Sequence, residues 1–276
     1  MIYPQALFIR RHPAASYFTL AFTISWTGAL VVAAPHLLRH EPLPKMTGIL
    51  MFPAMLLGPS VTGIFLTRII DGSSGLRSLF SRMLAARFAL RWYAALLIPP
   101  VLVPLVLLCL ERFVSSVYAP RHFFFGIAFA IPAGLLEEIG WMGYAFPKLQ
   151  AGNNRLLAGI LLGLLWSLWH LPVIDFLGAA APHGAYWLPF FLAFALAMTA
   201  MRVLIAWIYA NTGSVLLAQV MHVSSTGSLI IFGPAVNAAQ EALWYAVYGV
   251  ALWLVVAVVG CSVGRQLMGR VQEPPL

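Results

Sequence analysis

Apolar runs of about twenty residues recur along the chain between short polar turns. This alternation predicts eight membrane-spanning helices, at about 15–35, 47–70, 92–110, 123–146, 156–174, 187–209, 214–232 and 241–264. Pro53 and the Gly58–Pro59 pair interrupt the second run, and Pro99, Pro100 and Pro104 the third. Residues 71–91 break the pattern. After a turn from Asp71 to Gly75, Leu76, Leu79, Phe80, Met83, Leu84 and Phe88 interleave with Arg77, Arg82, Arg87 and Arg91. That spacing predicts an amphipathic helix lying in the interface with its basic residues toward anionic headgroups; a solvated linker helix would show the same spacing. The fold class is therefore an all-α polytopic membrane helix bundle. Residues 1–276 form one transmembrane domain in the lipid bilayer.

Composition agrees with the pattern. Of 276 residues, 62% are hydrophobic and 9% charged, which excludes an ordinary soluble domain. The net charge of +8 does not imply nucleic acid, because the basic residues sit between apolar runs and form no continuous stripe. They are instead sided. Arg10, Arg11, Arg68, Arg77, Arg82, Arg87, Arg91, Lys148, Arg155, Arg265 and Arg270 fall on the side of the N-terminus, and Arg39, Lys45, Arg112 and Arg121 on the other. Eleven against four places both termini in the cytoplasm. No small-residue cleavage site follows the basic start, so a cleavable signal peptide is not expected. Cys109 and Cys261 lie inside apolar runs and read as packing residues. Fourteen Arg against two Lys, with abundant Ala, points to a GC-rich prokaryotic genome.

The candidate chemistry is what remains polar at membrane depth. Glu137 and Glu138 lie on the fourth span, His170 on the fifth, Arg202 on the sixth, and His222 with Ser224, Ser225 and Thr226 on the seventh. A charge at mid-bilayer costs about 2.5–3.5 kcal/mol on insertion scales, so such groups are seldom gathered without a role. An acid pair at a membrane edge or in a re-entrant segment, simply reaching water, is the plainer reading of Glu137 and Glu138. Successive helical residues diverge by about 100°, so a single carboxylate of the two can aim at a shared cavity and the other is left to support it. Trp166 shares a face with His170, and His222 with Thr226. Gly134, Gly140 and Gly143 allow close helix approach and read as packing residues. Arg202, far from either end of its run, needs a carboxylate or carbonyl partner unless it snorkels to an interface. Glu138 is the expected partner.

These residues resemble the type II CAAX-protease and bacteriocin-processing family, the CPBP or Abi intramembrane endopeptidases. The resemblance covers about residues 130–228. It rests on Glu137 and Glu138 followed by Trp141, Gly143 and Tyr144, on Trp166 four before His170, and on His222 four before Thr226. Two positions depart from the family pattern. Met142 stands where an Arg is usual, and Thr226 where the best-studied members have Asn.

The resemblance implies an endopeptidase acting on a membrane-associated protein or peptide through a glutamate-activated water. The catalytic helices would be residues 123–232. Glu137 would be the general base, His170 would position water or shuttle its proton, His222 and Thr226 would donate to the oxyanion, and Glu138 would orient the site. A variant places a divalent metal, zinc, on Glu137, His170 and His222; the resemblance leaves metal dependence open. Two readings from other classes remain: a non-catalytic transporter or immunity scaffold with a buried proton relay, and polar contacts that merely hold helices together. In a prokaryotic chain, processing of a peptide, bacteriocin or regulatory membrane protein fits better than prenyl-protein cleavage.

Overall fold

The computed structural model describes residues 4–176 and 183–262, and Arg265 and Arg270 lie outside the described residues. The short α1 (Pro4–Arg11) ends just ahead of Pro13, which opens α2 (Pro13–Leu38) at a position where a missing N–H is harmless. The 40-residue α3 (Lys45–Leu84) follows, then α4 (Leu90–Ala95) and α5 (Ile98–Phe113). Next come α6 (Ile127–Gly140), a π turn at Trp141–Ala145, and α7 (Phe146–Gln150). The remaining helices are α8 (Arg155–Trp169), α9 (Trp187–Thr212), α10 (Val215–Phe232) and α11 (Ala238–Ser262). The α9–α10 turn is specified locally. Gly213 takes φ 66°, and Ser214 caps α10 by accepting from the Leu217 N–H at 3.0 Å.

Among the described residues, seven stretches are long and apolar enough to cross a membrane: Pro13–Leu38, Lys45–Leu84, Leu90–Phe113, Phe124–Gln150, Gly184–Thr212, Val215–Phe232 and Ala238–Cys261. The chain is thus an all-helical multi-pass membrane protein. The fifth expected span, 156–174, is present as a shorter apolar helix than expected. Its regular helix, α8, has 15 residues, about 22 Å at 1.5 Å each against ~30 Å of hydrocarbon. It stops at Trp169 because Pro172 cannot continue an α ladder, and the chain passes into a π turn at Pro172–Phe176. His170 therefore caps a short helix and does not sit inside a long one.

Residues 71–91 also differ from expectation. The predicted turn is a break at Gly72 (φ 68°, ψ −158°), and helix resumes to Leu84. Arg77, Arg87 and Arg91 are exposed as expected, but Leu79 is fully buried. Arg82 turns inward, donating to the Gly143 carbonyl at 3.0 Å and to the Tyr209 hydroxyl. Cys109 and Cys261 are exposed thiols and not core residues.

Antiparallel succession gives the bundle two ends. At the terminal end, Arg10 donates to the Ile69 carbonyl at 3.1 Å, and Lys148 pairs with Asp71 at 3.5 Å. At the distal end, the backbone N–H groups of Arg121 and Phe123 donate to Phe232 and Ile231 carbonyls at 3.1 and 3.0 Å. Glycines bring the central helices together. A Cβ on Gly140 would lie 2.1 Å from the Pro59 carbonyl oxygen, and one on Gly134 would lie 2.8 Å from the Gln219 carbonyl oxygen. Hence α6 presses backbone to backbone on α3 and on α10, as the small residues of its sequence indicated.

Candidate active site

The site is built where α6, α8, α9 and α10 meet. Two helices pin the backbone just ahead of the acid pair. Ser60 of α3 donates its hydroxyl to the Leu136 carbonyl at 2.6 Å, and Gln219 of α10 donates its amide to the Leu135 carbonyl at 2.7 Å. With Gly134 and Gly140 seated against the same neighbours, the Glu137–Glu138 segment has little freedom to rotate. Both side chains are completely buried.

The two acids then part. Glu137 Oε2 accepts the indole N–H of Trp166 at 2.7 Å and that of Trp141 at 3.1 Å. Its Oε1 has no hydrogen-bond partner among the described residues. The Glu137 side chain lines a cavity of about 560 Å³, together with His170, His222, Thr226 and Trp166. Two neutral donors fix the carboxylate plane and leave one oxygen for whatever enters.

Glu138 looks the other way. Its Oε1 accepts from Arg202 Nη1 at 2.6 Å and from His222 Nδ1 at 2.7 Å. The ion pair inferred from the sequence is therefore present, and the guanidinium is wholly buried. Its carbon lies 4.0 Å from the centroid of the Trp166 ring, a cation–π contact that helps hold a desolvated cation. Met142 is fully buried within the π turn. The positive charge beside Glu138 thus comes from α9.

Hydrogen bonding fixes the histidine tautomers. His170 Nδ1 lies 2.8 Å from the Trp166 carbonyl oxygen, which only accepts, so Nδ1 carries the proton and Nε2 keeps its lone pair. His222 donates Nδ1–H to Glu138, leaving Nε2 uncommitted. The rings of His170 and His222 pack edge-on against Trp166 at 5.0 and 5.2 Å. Thr226 borders the cavity one turn beyond His222.

All five sequence-derived site residues, Glu137, Glu138, His170, His222 and Thr226, thus come to one place, although Glu138 is screened from the cavity by its own partners. The metal variant does not fit. Among the described residues, no three His, Cys, Asp or Glu side chains converge as a metal-holding group. Glu137, His170 and His222 therefore do not form such a set. Sequence reasoning missed the roles of Trp141, Ser60 and Gln219. The Glu137–Trp141 spacing of one helical turn was a visible signal for the first. Ser60 and Gln219 lie 76 and 84 residues from the carbonyls they serve, beyond any local pattern.

Residues 119–227 match the family model described as "Type II CAAX prenyl endopeptidase Rce1-like". The curated protein "CAAX prenyl protease 2" of Methanococcus maripaludis is 37% identical over 95 residues, covering 33% of this chain and 34% of that protein. The match thus spans about a third of the relative's length. The matched family segment contains both acids, both histidines, Thr226 and Arg202.

Proposed function

We propose that this chain, which through residues 119–227 belongs to the Rce1-like family of type II CAAX prenyl endopeptidases, hydrolyses a peptide bond of a membrane-associated protein or peptide. The carrying observation is Glu137. One oxygen is held by two indole N–H groups, the other is uncommitted, and the side chain borders a cavity shared with two histidines.

A water entering between Glu137 and His170 meets two acceptors, Glu137 Oε1 and His170 Nε2. Glu137 takes one proton as the water oxygen bonds to the scissile carbonyl carbon, and His170 orients the other. The oxyanion that forms faces His222 and Thr226. An Nε2–H donor there requires the imidazolium form of His222, for which Glu138, accepting the Nδ1–H, supplies the counter-charge. The Thr226 hydroxyl supplies a second donor. Collapse breaks the C–N bond, and the proton on Glu137 passes to the departing amine. Arg202 keeps Glu138 in place without touching substrate.

The test is cleavage by purified protein in liposomes, read as new peptide termini. Wild type should release fragments from membrane proteins or peptides that Glu137→Gln, folded and inserted alike, leaves intact. Identical fragment sets from both proteins would reject the endopeptidase reading.

A further inference from the structure

The cavity that reaches Glu137 carries opposite charges at its two ends. Among the described residues that border it, Glu137 is the one acid and Lys45 the one lysine or arginine. The wall between them is largely apolar, with Phe52, Phe129, Leu229 and Ile230 among its side chains. Ser60 is level with Leu136, because the two are hydrogen-bonded. Lys45, at the first residue of α3, is therefore about 22 Å farther along the helix, at 1.5 Å per residue. Lys45 is exposed and stands at the mouth, whereas Glu137 is completely buried.

Nothing in the protein uses this cation. Among the described residues no carboxylate pairs with Lys45; Glu41, the nearest acid in sequence, is held by Arg39 at 3.6 Å and by His36 at 3.4 Å. Apolar walls focus the field of a charge placed at a cleft, so Lys45 draws an anionic group toward the mouth. Glu137 repels the same group from the inner end. The two charges thus set both the place and the direction of a carboxylate on an entering chain. An extended peptide covers about 22 Å in about six residues.

We propose that Lys45 is a specificity-determining residue, which anchors a carboxylate of the substrate about six residues from the bond presented to Glu137. The carboxylate belongs to an Asp or Glu side chain or to the end of the substrate chain. The residues between anchor and bond are apolar, matching the wall they lie against. That a bond is cut rests on the endopeptidase reading; the capture of a carboxylate by Lys45 does not.

Peptide binding to Glu137→Gln in phosphatidylcholine nanodiscs, where no cleavage intervenes, tests the anchor. The probes are fluorescent apolar peptides with an amidated C-terminus and one Asp, each with an Asn twin and a Lys twin. A further set has no Asp and a free C-terminal carboxylate. Asp peptides should bind about fivefold tighter than their Asn twins, and Lys45→Gln should bring the two to parity. Lys45→Glu should invert the order and favour the Lys twins, which a merely structural role for Lys45 would not produce. Preference for the free C-terminus over its amide, with none for Asp, assigns the carboxylate to the chain end. Indifference to both kinds of carboxylate, as for a lysine that meets lipid headgroups alone, would overturn the proposal. So would a Lys45→Gln loss shared equally by Asp and Asn peptides. With wild-type protein, cuts should fall about six residues from the acid, and cuts clustered within about three residues of it would refute the spacing. Discrimination without any cut sinks the endopeptidase reading and leaves the anchor; cuts that ignore the acid sink the anchor alone.

Discussion

Removing the guanidinium that faces Glu138 is the sharpest perturbation the structure offers. In Arg202→Met, Glu138 keeps His222 as its sole partner, inside a site where both residues are buried. Breaking one side of a buried pair typically costs about 3–5 kcal/mol. For a chain of this size that corresponds to a Tm fall of about 10 °C. Glu138→Gln should cost a similar amount, because it strands the guanidinium over Trp166. The double variant Arg202→Met/Glu138→Gln strands no charge and should recover most of the loss, giving coupling of about 2 kcal/mol or more in a double-mutant cycle. Met142→Arg adds a second arm. It places a cation one α-helical turn along from Glu138 and should restore part of the stability of Arg202→Met. Thermal unfolding in detergent, followed by size-exclusion recovery, reads all four proteins without any assumption about activity. Losses below about 1 kcal/mol in both single variants, adding simply in the double, would show that the 2.6 Å contact carries no weight.

Glu137→Gln and His170→Ala should each lower peptide cleavage by about 10²–10⁴-fold with unchanged elution from size exclusion; activity within a few-fold of wild type removes that residue from the catalytic set. Trp166→Phe keeps an aromatic ring for Arg202 but deletes the shorter of the two hydrogen bonds to Glu137, so kcat should fall about tenfold with little change in KM; a pure KM effect would contradict the orienting role. Gly140→Ala adds a Cβ that would sit 2.1 Å from the Pro59 carbonyl oxygen and 2.2 Å from the Tyr17 hydroxyl. Overpacking of that kind costs about 1–3 kcal/mol, outweighing the gain in helix propensity, and a raised Tm would refute the backbone contact described for α3 and α6.

Much of this was visible in the chain itself, for identifiable reasons. The helices were legible because lipid demands long apolar runs, and the Arg202–Glu138 pair because the spans carry so few charges that partners can be found by elimination. The end of α8 had a local signal in Pro172, but the run from 156 to 174 stays apolar past the point where the helix stops. Arg82 shows a different limit. Its spacing with Arg77, Arg87 and Arg91 is that of an interfacial face, and only packing against Gly143 and Tyr209 sets it apart. The split between the two acids followed from helical geometry, yet the indole from Trp166 crosses from another helix and leaves no trace in local spacing.

The π turn after Gly140 changes how this region of the chain tolerates insertions and deletions. A π turn is an α-helix carrying one residue more than its turn requires, so the helix here holds a spare unit between the acid pair and Pro147. Loss of one residue from Trp141–Ala145 would convert the turn to ordinary α geometry. The acids would keep their seats against Ser60 and Gln219, and the helix from Phe146 onward would keep its face. Length changes in this stretch are therefore absorbed on the terminal side of the site, and the ten-residue interval from Glu137 to Pro147 is not a reliable ruler for aligning distant members of the family.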